Sequence, residues 1–280
     1  MIPAIERALT DLSAGRVVQP VRVVVPVADH KGFLGVMPAY AGALGAKLVT
    51  FYPANTDVHT HHAVIALFKP ETGEPLAIMD GRLITEMRTA AASAVATQYL
   101  ARANASILAI LGSGVQAGSH LEALRQVRRF SEVRVWSPRN AKAFAERHGV
   151  MAARSAEDAV RGADVVVVAV SSKTPVLEGR WLSPGAHVNA IGATRPDWRE
   201  LDDDLVTRAR VFVDSREAAT KESGDVIAAR EVVGEIGEVV SGKKPGRTNA
   251  AEITVFKSVG VAVEDVASAA LVYERHASGT

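Results

Sequence analysis

The run Leu111-Gly112-Ser113-Gly114-Val115-Gln116-Ala117 has the spacing GxGxxA and joins an apolar stretch to a helical one. In that setting Gly112 permits a tight turn, Gly114 lets the backbone approach a pyrophosphate, and small Ala117 lets the helix pack close to the strand. The helix start offers unpaired N–H groups and a positive dipole end to phosphate oxygens. A plain structural turn is the competing reading, but the agreement of strand, loop and helix favours dinucleotide binding. The next apolar run ends Val135-Trp136-Ser137-Pro138-Arg139. An NAD site places a carboxylate there for the ribose 2′-hydroxyl. Ser137 and Arg139 stand there instead. A carboxylate would repel a 2′-phosphate, whereas a guanidinium holds one with two bonds. NADP(H) is therefore expected ahead of NAD(H), with a solvated surface arginine as the alternative for Arg139.

Other residue types could also do chemistry. Lys47 opens the apolar run Lys47-Leu-Val-Thr-Phe51. Partial burial and nearby arginines would lower its pKa and suit it to donate or accept a proton. The alternative is an edge-strand lysine that blocks aggregation. The run His59-Thr60-His61-His62 would place His59 and His61 on one strand face. No carboxylate or further histidine stands at ligand spacing, so no metal is expected, and His61 reads better as a polar wall of a cofactor site. Glu222 and Asp225 are either helix-start acids or substrate-facing groups, and Glu222 is kept as a candidate site residue.

These residues need two kinds of element to position them. From 107 to 213, short β-branched runs at 107–111, 133–136, 164–170, 186–191 and 211–213 alternate with helical stretches at 116–127, 141–148 and 155–162. Continuous apolar strands between helices predict an α/β, Rossmann-type doubly wound parallel sheet. Earlier, short strands at 21–26, 34–37, 47–51, 64–68 and 76–79 are separated by Gly- and Pro-rich turns. That spacing predicts a smaller, mainly antiparallel α+β domain. Alanine-rich 88–101 reads as a bridging helix, and 260–276 as an amphipathic helix that could return to the first domain. The expected division is 1–90 with 260–280 for substrate binding and dimerisation, and 91–259 for the dinucleotide.

Composition narrows the class. With 48% hydrophobic and 22% charged residues in 280, the chain can bury a core without staples. A net charge of +1 carries no footprint for nucleic acid or an anionic membrane. The absence of cysteine excludes disulfides, thiolate zinc sites and a cysteine nucleophile, and fits a reducing compartment. No apolar run spans a bilayer and the first residues lack a signal-peptide pattern, so a cytoplasmic protein is expected.

With these residues in hand, the chain resembles the ornithine cyclodeaminase/μ-crystallin family, and within it the μ-crystallin branch. The resemblance runs through Gln19-Pro-Val-Arg22, Leu34-Gly-Val-Met-Pro38, Lys47-Leu-Val-Thr-Phe51, Met79-Asp-Gly81, Arg88-Thr-Ala-Ala91 and the Gly112 loop. It continues through Gly192-Ala-Thr-Arg-Pro-Asp-Trp-Arg-Glu-Leu201, Lys221-Glu-Ser-Gly-Asp225 and Phe256-Lys-Ser258. It implies a homodimer, with the antiparallel domain giving the dimer contact and the substrate site. It also implies that the NADPH site is lined by Thr60, His61, Arg88, Thr89, Gly112, Ser113, Gly114, Val115, Gln116, Ser137, Arg139, Val170, Ser171, Ile191 and Ser258. Family members carry a further segment ahead of the one that begins here at Met1, so part of the first domain is expected to be built differently. The cyclodeaminases place an aspartate in the loop after Gly192, where this chain has Thr194. A threonine cannot carry a proton as a carboxylate does. This argues for hydride transfer over cyclodeamination.

The expected reaction is NADPH-dependent reduction of the C=N bond of a small cyclic ketimine carboxylate to a cyclic amino acid. Arg22 and Arg88 would hold the carboxylate, Lys47 would handle the proton, Thr194 and Glu222 would face the substrate, and the nicotinamide would give the hydride. Rival readings are an ornithine cyclodeaminase, an alanine dehydrogenase-like enzyme, and a non-catalytic protein binding a thyroid-hormone-like ligand together with NADPH.

Overall fold

A computed structural model describes residues 1–279. The chain divides into two compact units, Met1–Arg88 with the segment from Gly260 onward, and Thr89–Val259. The first unit opens with α1 (Ile2–Ser13). Ile5, Ala8 and Leu9 fall on one face of this helix and are buried, and Pro3 sits where a missing N–H costs nothing. Five strands follow: β1 (Val23–Val27), β2 (Gly32–Ala41), β3 (Ala43–Phe51), β4 (His61–Phe68) and β5 (Pro75–Asp80). They pair in chain order, every pair antiparallel. Helix α2 (Gly81–Leu100) comes next, and the division of the chain falls within it.

The second unit runs β6 (Ile107–Leu111), α3 (Val115–Val127), β7 (Glu132–Trp136), α4 (Ala141–His148), β8 (Met151–Ala152), α5 (Ala156–Val160), β9 (Val165–Val168) and β10 (His187–Ala190). It continues with α6 (Asp203–Arg208), β11 (Arg210–Val213), α7 (Arg216–Glu222), α8 (Gly224–Ala228), β12 (Val232–Glu235), α9 (Ile236–Val240) and β13 (Thr254–Lys257). Its eight strands lie in the order β12-β11-β13-β10-β9-β6-β7-β8, all parallel. Strand β9 is four valines, all buried, the composition a two-sided parallel strand demands. The order reverses at β6, whose neighbours are β7 and β9, and such a switch point is where open α/β sheets bind ligands.

The chain then closes on the first unit with α10 (Ala262–Ala277). This helix packs on α1 and on β2, β3 and β4, covering the face that carries Met37, Lys47, Ile65 and Leu67. The other face of that sheet leaves Val23, Val25, Leu48, Val64 and Ile78 exposed.

Several expectations need correction. The bridging helix begins at Gly81, not 88, because the Asp80 carboxylate accepts the Arg82 N–H at 2.7 Å and starts the helix there. Helix α1 was not expected. The strand expected at 211–213 is not the last of its sheet; β12 and β13 come after it, with α7 to α9 among them. The valine strand stops at Val168, leaving Val170 and Ser171 in the following loop. His59 lies in the loop ahead of β4 and meets His62, at 6.1 Å between ring centroids, so it does not share a strand face with His61.

Candidate active site

In the first unit, Lys47 sits mid-strand in β3, paired with Met37 of β2 and Ile65 of β4. The pleat turns it to the face under α10, where it is 2% exposed. The first turn of α10 supplies the answering charges, Glu264 and Asp265, both wholly buried. Lys47 Nζ lies 2.7 Å from Asp265 Oδ2. Arg88, also buried, donates from Nε to Asp265 Oδ1 at 2.8 Å and from Nη1 to Glu264 Oε2 at 2.6 Å. Arg22, half-buried, donates from Nη2 to the Gly260 carbonyl at 2.6 Å. Gly260 has φ +76, and a Cβ there would stand 2.6 Å from Arg88 Nη1, so only glycine leaves room for the guanidinium.

Burial pushes the Lys47 ammonium down to about 8; Asp265 opposes the fall, while Arg88 and Arg22 add to it. Burial works to raise Asp265, but Arg88 and Lys47 hold it below the usual carboxylate range. His61, stacked on Phe51 at 4.4 Å, is lowered by partial burial, then by the Lys47 charge, then by His62. Thr60 lies beside it, Oγ1 to Nδ1 3.2 Å.

In the second unit, Gly112 has φ +119, and a Cβ there would stand 2.3 Å from the Ala169 carbonyl, so the turn after β6 admits only glycine. Gly114 faces open space. It begins α3, which no side chain caps, and Ala117 is fully buried against the sheet. Gln116 Oε1 is buried without a hydrogen-bond partner. The hydroxyls of Ser113 and Ser137 are 2.8 Å apart, and Ser137 Oγ accepts the Asn140 N–H at 3.1 Å. Arg139 is exposed beside them, and Val115 is 58% exposed at the helix start. An uncapped helix start, an open glycine and an orphaned amide oxygen fit a dinucleotide phosphate and its ribose.

Two buried acids that the sequence reading did not single out support this end of the sheet. Asp214 accepts from Ser258 Oγ at 2.9 Å and from the Val259 N–H at 2.8 Å. Glu200 accepts from Lys257 Nζ at 2.6 Å and from the Gly192 N–H at 2.9 Å. Asp225 lies 3.1 Å from the same ammonium and accepts the N–H groups of Glu200 and Leu201, both at 3.1 Å. Burial and Asp225 raise Glu200 against the pull of Lys257, and burial of Lys257 is outweighed by its two acids, which raise it. The loop that follows Ile191 and carries Thr194 is thus anchored at Gly192, Glu200 and Leu201.

Arg22, Lys47 and Arg88 are brought together in the first unit, in company with Thr60 and His61. Thr89, the glycine loop, Ser137, Arg139, Val170, Ser171, Ile191, Thr194, Glu222 and Ser258 belong to the second. Protein carboxylates engage two nitrogens of Arg88. Glu222 ends α7, so it is not a helix-start acid, and Asp225 makes the buried bonds instead. Glu264 and Asp265 were also missed; their signal was two acids in an otherwise apolar helix start, Val261-Ala-Val-Glu-Asp-Val-Ala267. Among the described residues, no three His, Cys, Asp or Glu side chains gather as a metal site. Among the described residues, no helix is long and apolar enough to cross a membrane.

A glycine loop at the switch point of a doubly wound sheet in one unit, and a buried lysine–arginine cluster in the other, define an NAD(P)H-dependent oxidoreductase. Mouse ketimine reductase mu-crystallin is 51% identical over 292 residues, covering 100% of this chain and 93% of that protein. The structure of Thermococcus litoralis Δ(1)-pyrroline-2-carboxylate reductase, in complex with NADH and L-proline, superposes with a TM-score of 0.94 at 40% identity, covering 99% of this chain and 93% of that one. An archaeal alanine dehydrogenase dimer with bound NAD gives a TM-score of 0.94 at 39% identity, covering 99% and 91%. The ornithine cyclodeaminase/mu-crystallin family model matches residues 1–280, and the chain belongs to that family.

Proposed function

We propose that the protein reduces the C=N bond of small cyclic ketimine carboxylates, such as piperideine- or pyrroline-2-carboxylate, to the cyclic amino acid, with NADPH as reductant. The observation that carries this reading is the buried Lys47, held beside Arg22 and Arg88 in one cluster. Reduction of an imine adds a hydride to carbon and a proton to nitrogen. NADPH, when bound, supplies the hydride. The Lys47 ammonium gives its proton to the ring nitrogen, and Arg22, with Arg88 behind it, holds the substrate carboxylate. Thr60, His61, Arg88 and Thr89 line the cofactor, with Gly112 to Gln116, Val170, Ser171, Ile191 and Ser258. Thr194 and Glu222 flank the substrate. Thr194 supplies no acid, which disfavours cyclodeamination.

The preference for NADP(H) rests on Ser137 and Arg139 standing where an NAD site keeps an acid. The same proposal makes 1–90 with 260–280 the substrate and dimerisation domain, and 91–259 the dinucleotide domain. The apolar face of β1, β3, β4 and β5 that α10 leaves uncovered suits a second copy of the chain. The lack of cysteine accords with a place in the cytoplasm.

The test follows NADPH absorbance with purified protein and each ketimine, alongside pyruvate plus ammonium, and assays ornithine for ammonia release. Rapid oxidation with a ketimine and none of note with pyruvate is the expected result. Ammonia released from ornithine at the ketimine rate, or no ketimine turnover, overturns it.

A further inference from the structure

We propose that Asp265 is the positioning residue of the proton donor: its carboxylate, shared between the Lys47 ammonium and the Arg88 guanidinium, holds the lysine charged and fixes its Nζ. This rests on the reading of Lys47 as the group that protonates the substrate nitrogen.

Three cations, Arg22, Lys47 and Arg88, meet in this cluster. A buried ammonium among like charges releases its proton. Asp265 is the acid that contacts it, at 2.7 Å. The charged and titratable groups around Lys47 are Asp265 and Glu264 from α10, Arg88 from α2, Arg22 ahead of β1, and His61 from β4. Glu264 is spent on Arg88. His61, held at about 4, stays neutral where Lys47 titrates. Each carboxylate oxygen of Asp265 has one cation, Oδ2 to Lys47 and Oδ1 to Arg88. The acid therefore sets both the charge of the donor and its place relative to the arginine. Standing in the first turn of α10, it is itself steadied by the helix dipole.

The balance is simple. Lys47–NH3⁺ gives H⁺ to the ring nitrogen as the carbon receives hydride, leaving Lys47–NH2 and a secondary amine. Without the carboxylate, less of Lys47 would carry a proton at neutral pH, and its Nζ would lose the contact that places it.

The test is the pH profile of kcat/KM for D265N, a near-isosteric change, taken as a ratio to wild type so that the substrate's own titration cancels. The alkaline limb, near about 8 in the wild type, should move down by about one unit or more. For one unit that is about a twofold loss at neutral pH, growing to about tenfold well above the wild-type limb and vanishing toward acid pH. E264Q, which keeps the lysine's contact, should move the limb much less. An unmoved limb in D265N, or an equal shift in E264Q, overturns the inference and leaves Asp265 as a packing residue. Should D265N not fold, D265E carries the test: the retained charge keeps the limb near its wild-type place, and a displacement of about one unit or more overturns the inference. Failure of the donor reading is separable, because K47A would then keep near-native kcat whatever Asp265 does.

Discussion

The hydroxyl of Ser113, inside the glycine loop, lies 2.8 Å from that of Ser137 at the end of the neighbouring strand. The contact ties the phosphate turn to the turn that carries Arg139, and no carboxylate intervenes. Arg139→Ala should therefore weaken NADPH by about 1.5–3 kcal/mol, the worth of a charged hydrogen bond, while sparing NADH. Titration of both cofactors by fluorescence checks it, and equal wild-type affinity for the two would refute the preference.

Lys47 and Arg22 should fail in different ways. Lys47→Ala removes the proton donor and should lower kcat by about 10²–10⁴-fold, with NADPH affinity near normal. Arg22→Ala removes a carboxylate clamp used before and during reaction, so KM should rise at least as much as kcat falls. Both constants, measured with one ketimine, separate the roles. A near-native kcat in Lys47→Ala would make the lysine structural.

The two directions of the reaction should have opposite pH dependence. Reduction needs Lys47 charged, so kcat/KM falls as pH rises through about 8. Oxidation of the cyclic amino acid needs Lys47 neutral to take the proton, so that rate rises through the same range. Initial rates in both directions across one set of buffers give the crossing; parallel profiles would speak against a shared lysine.

Lys257 makes a stability prediction. It is wholly buried with Glu200 and Asp225, 2.6 Å and 3.1 Å away. Lys257→Ala leaves two buried acids without their cation, a loss of about 3–5 kcal/mol. Glu200, already raised by burial, would then lose the pull of the ammonium and titrate further above its unfolded value. Its contribution is retained below the ordinary carboxylate range and lost as pH rises, so the penalty should be smaller near about pH 5 than near about pH 8. Denaturant melts at both values decide it.

The parallel sheet was legible because Val165 to Val168 and Ile107 to Leu111 are unbroken apolar runs next to a glycine turn. Strand β13 was not, because Thr254-Val-Phe-Lys257 puts polar residues at both ends of a short strand, and a buried lysine reads locally like a surface one. Helix α1 did carry its signal in the spacing of Ile2, Ile5, Leu9 and Leu12, but that face finds a partner only when α10 returns. The candidate site divides along the same line. Gly112, Ser137 and Lys47 are local patterns. Asp265, Glu264, Glu200 and Asp214 act through pairings between distant segments, such as Arg88 with Glu264 and Asp265, which no window of sequence contains.

The first unit is encoded in two segments that flank the second. Strands β1 to β5 leave the ribosome before the dinucleotide unit, and the helix that covers them leaves after it. The dinucleotide unit lies uninterrupted between them, and domains fold as units during synthesis. It can therefore finish its sheet while the five-stranded sheet still lacks a lid and Lys47 still lacks Asp265. A nascent chain stopped short of Glu264 would carry the glycine loop in a finished sheet and, in the other unit, a lysine that lacks the Asp265 carboxylate. The Lys47–Asp265 pair can form only after the whole dinucleotide unit has been made.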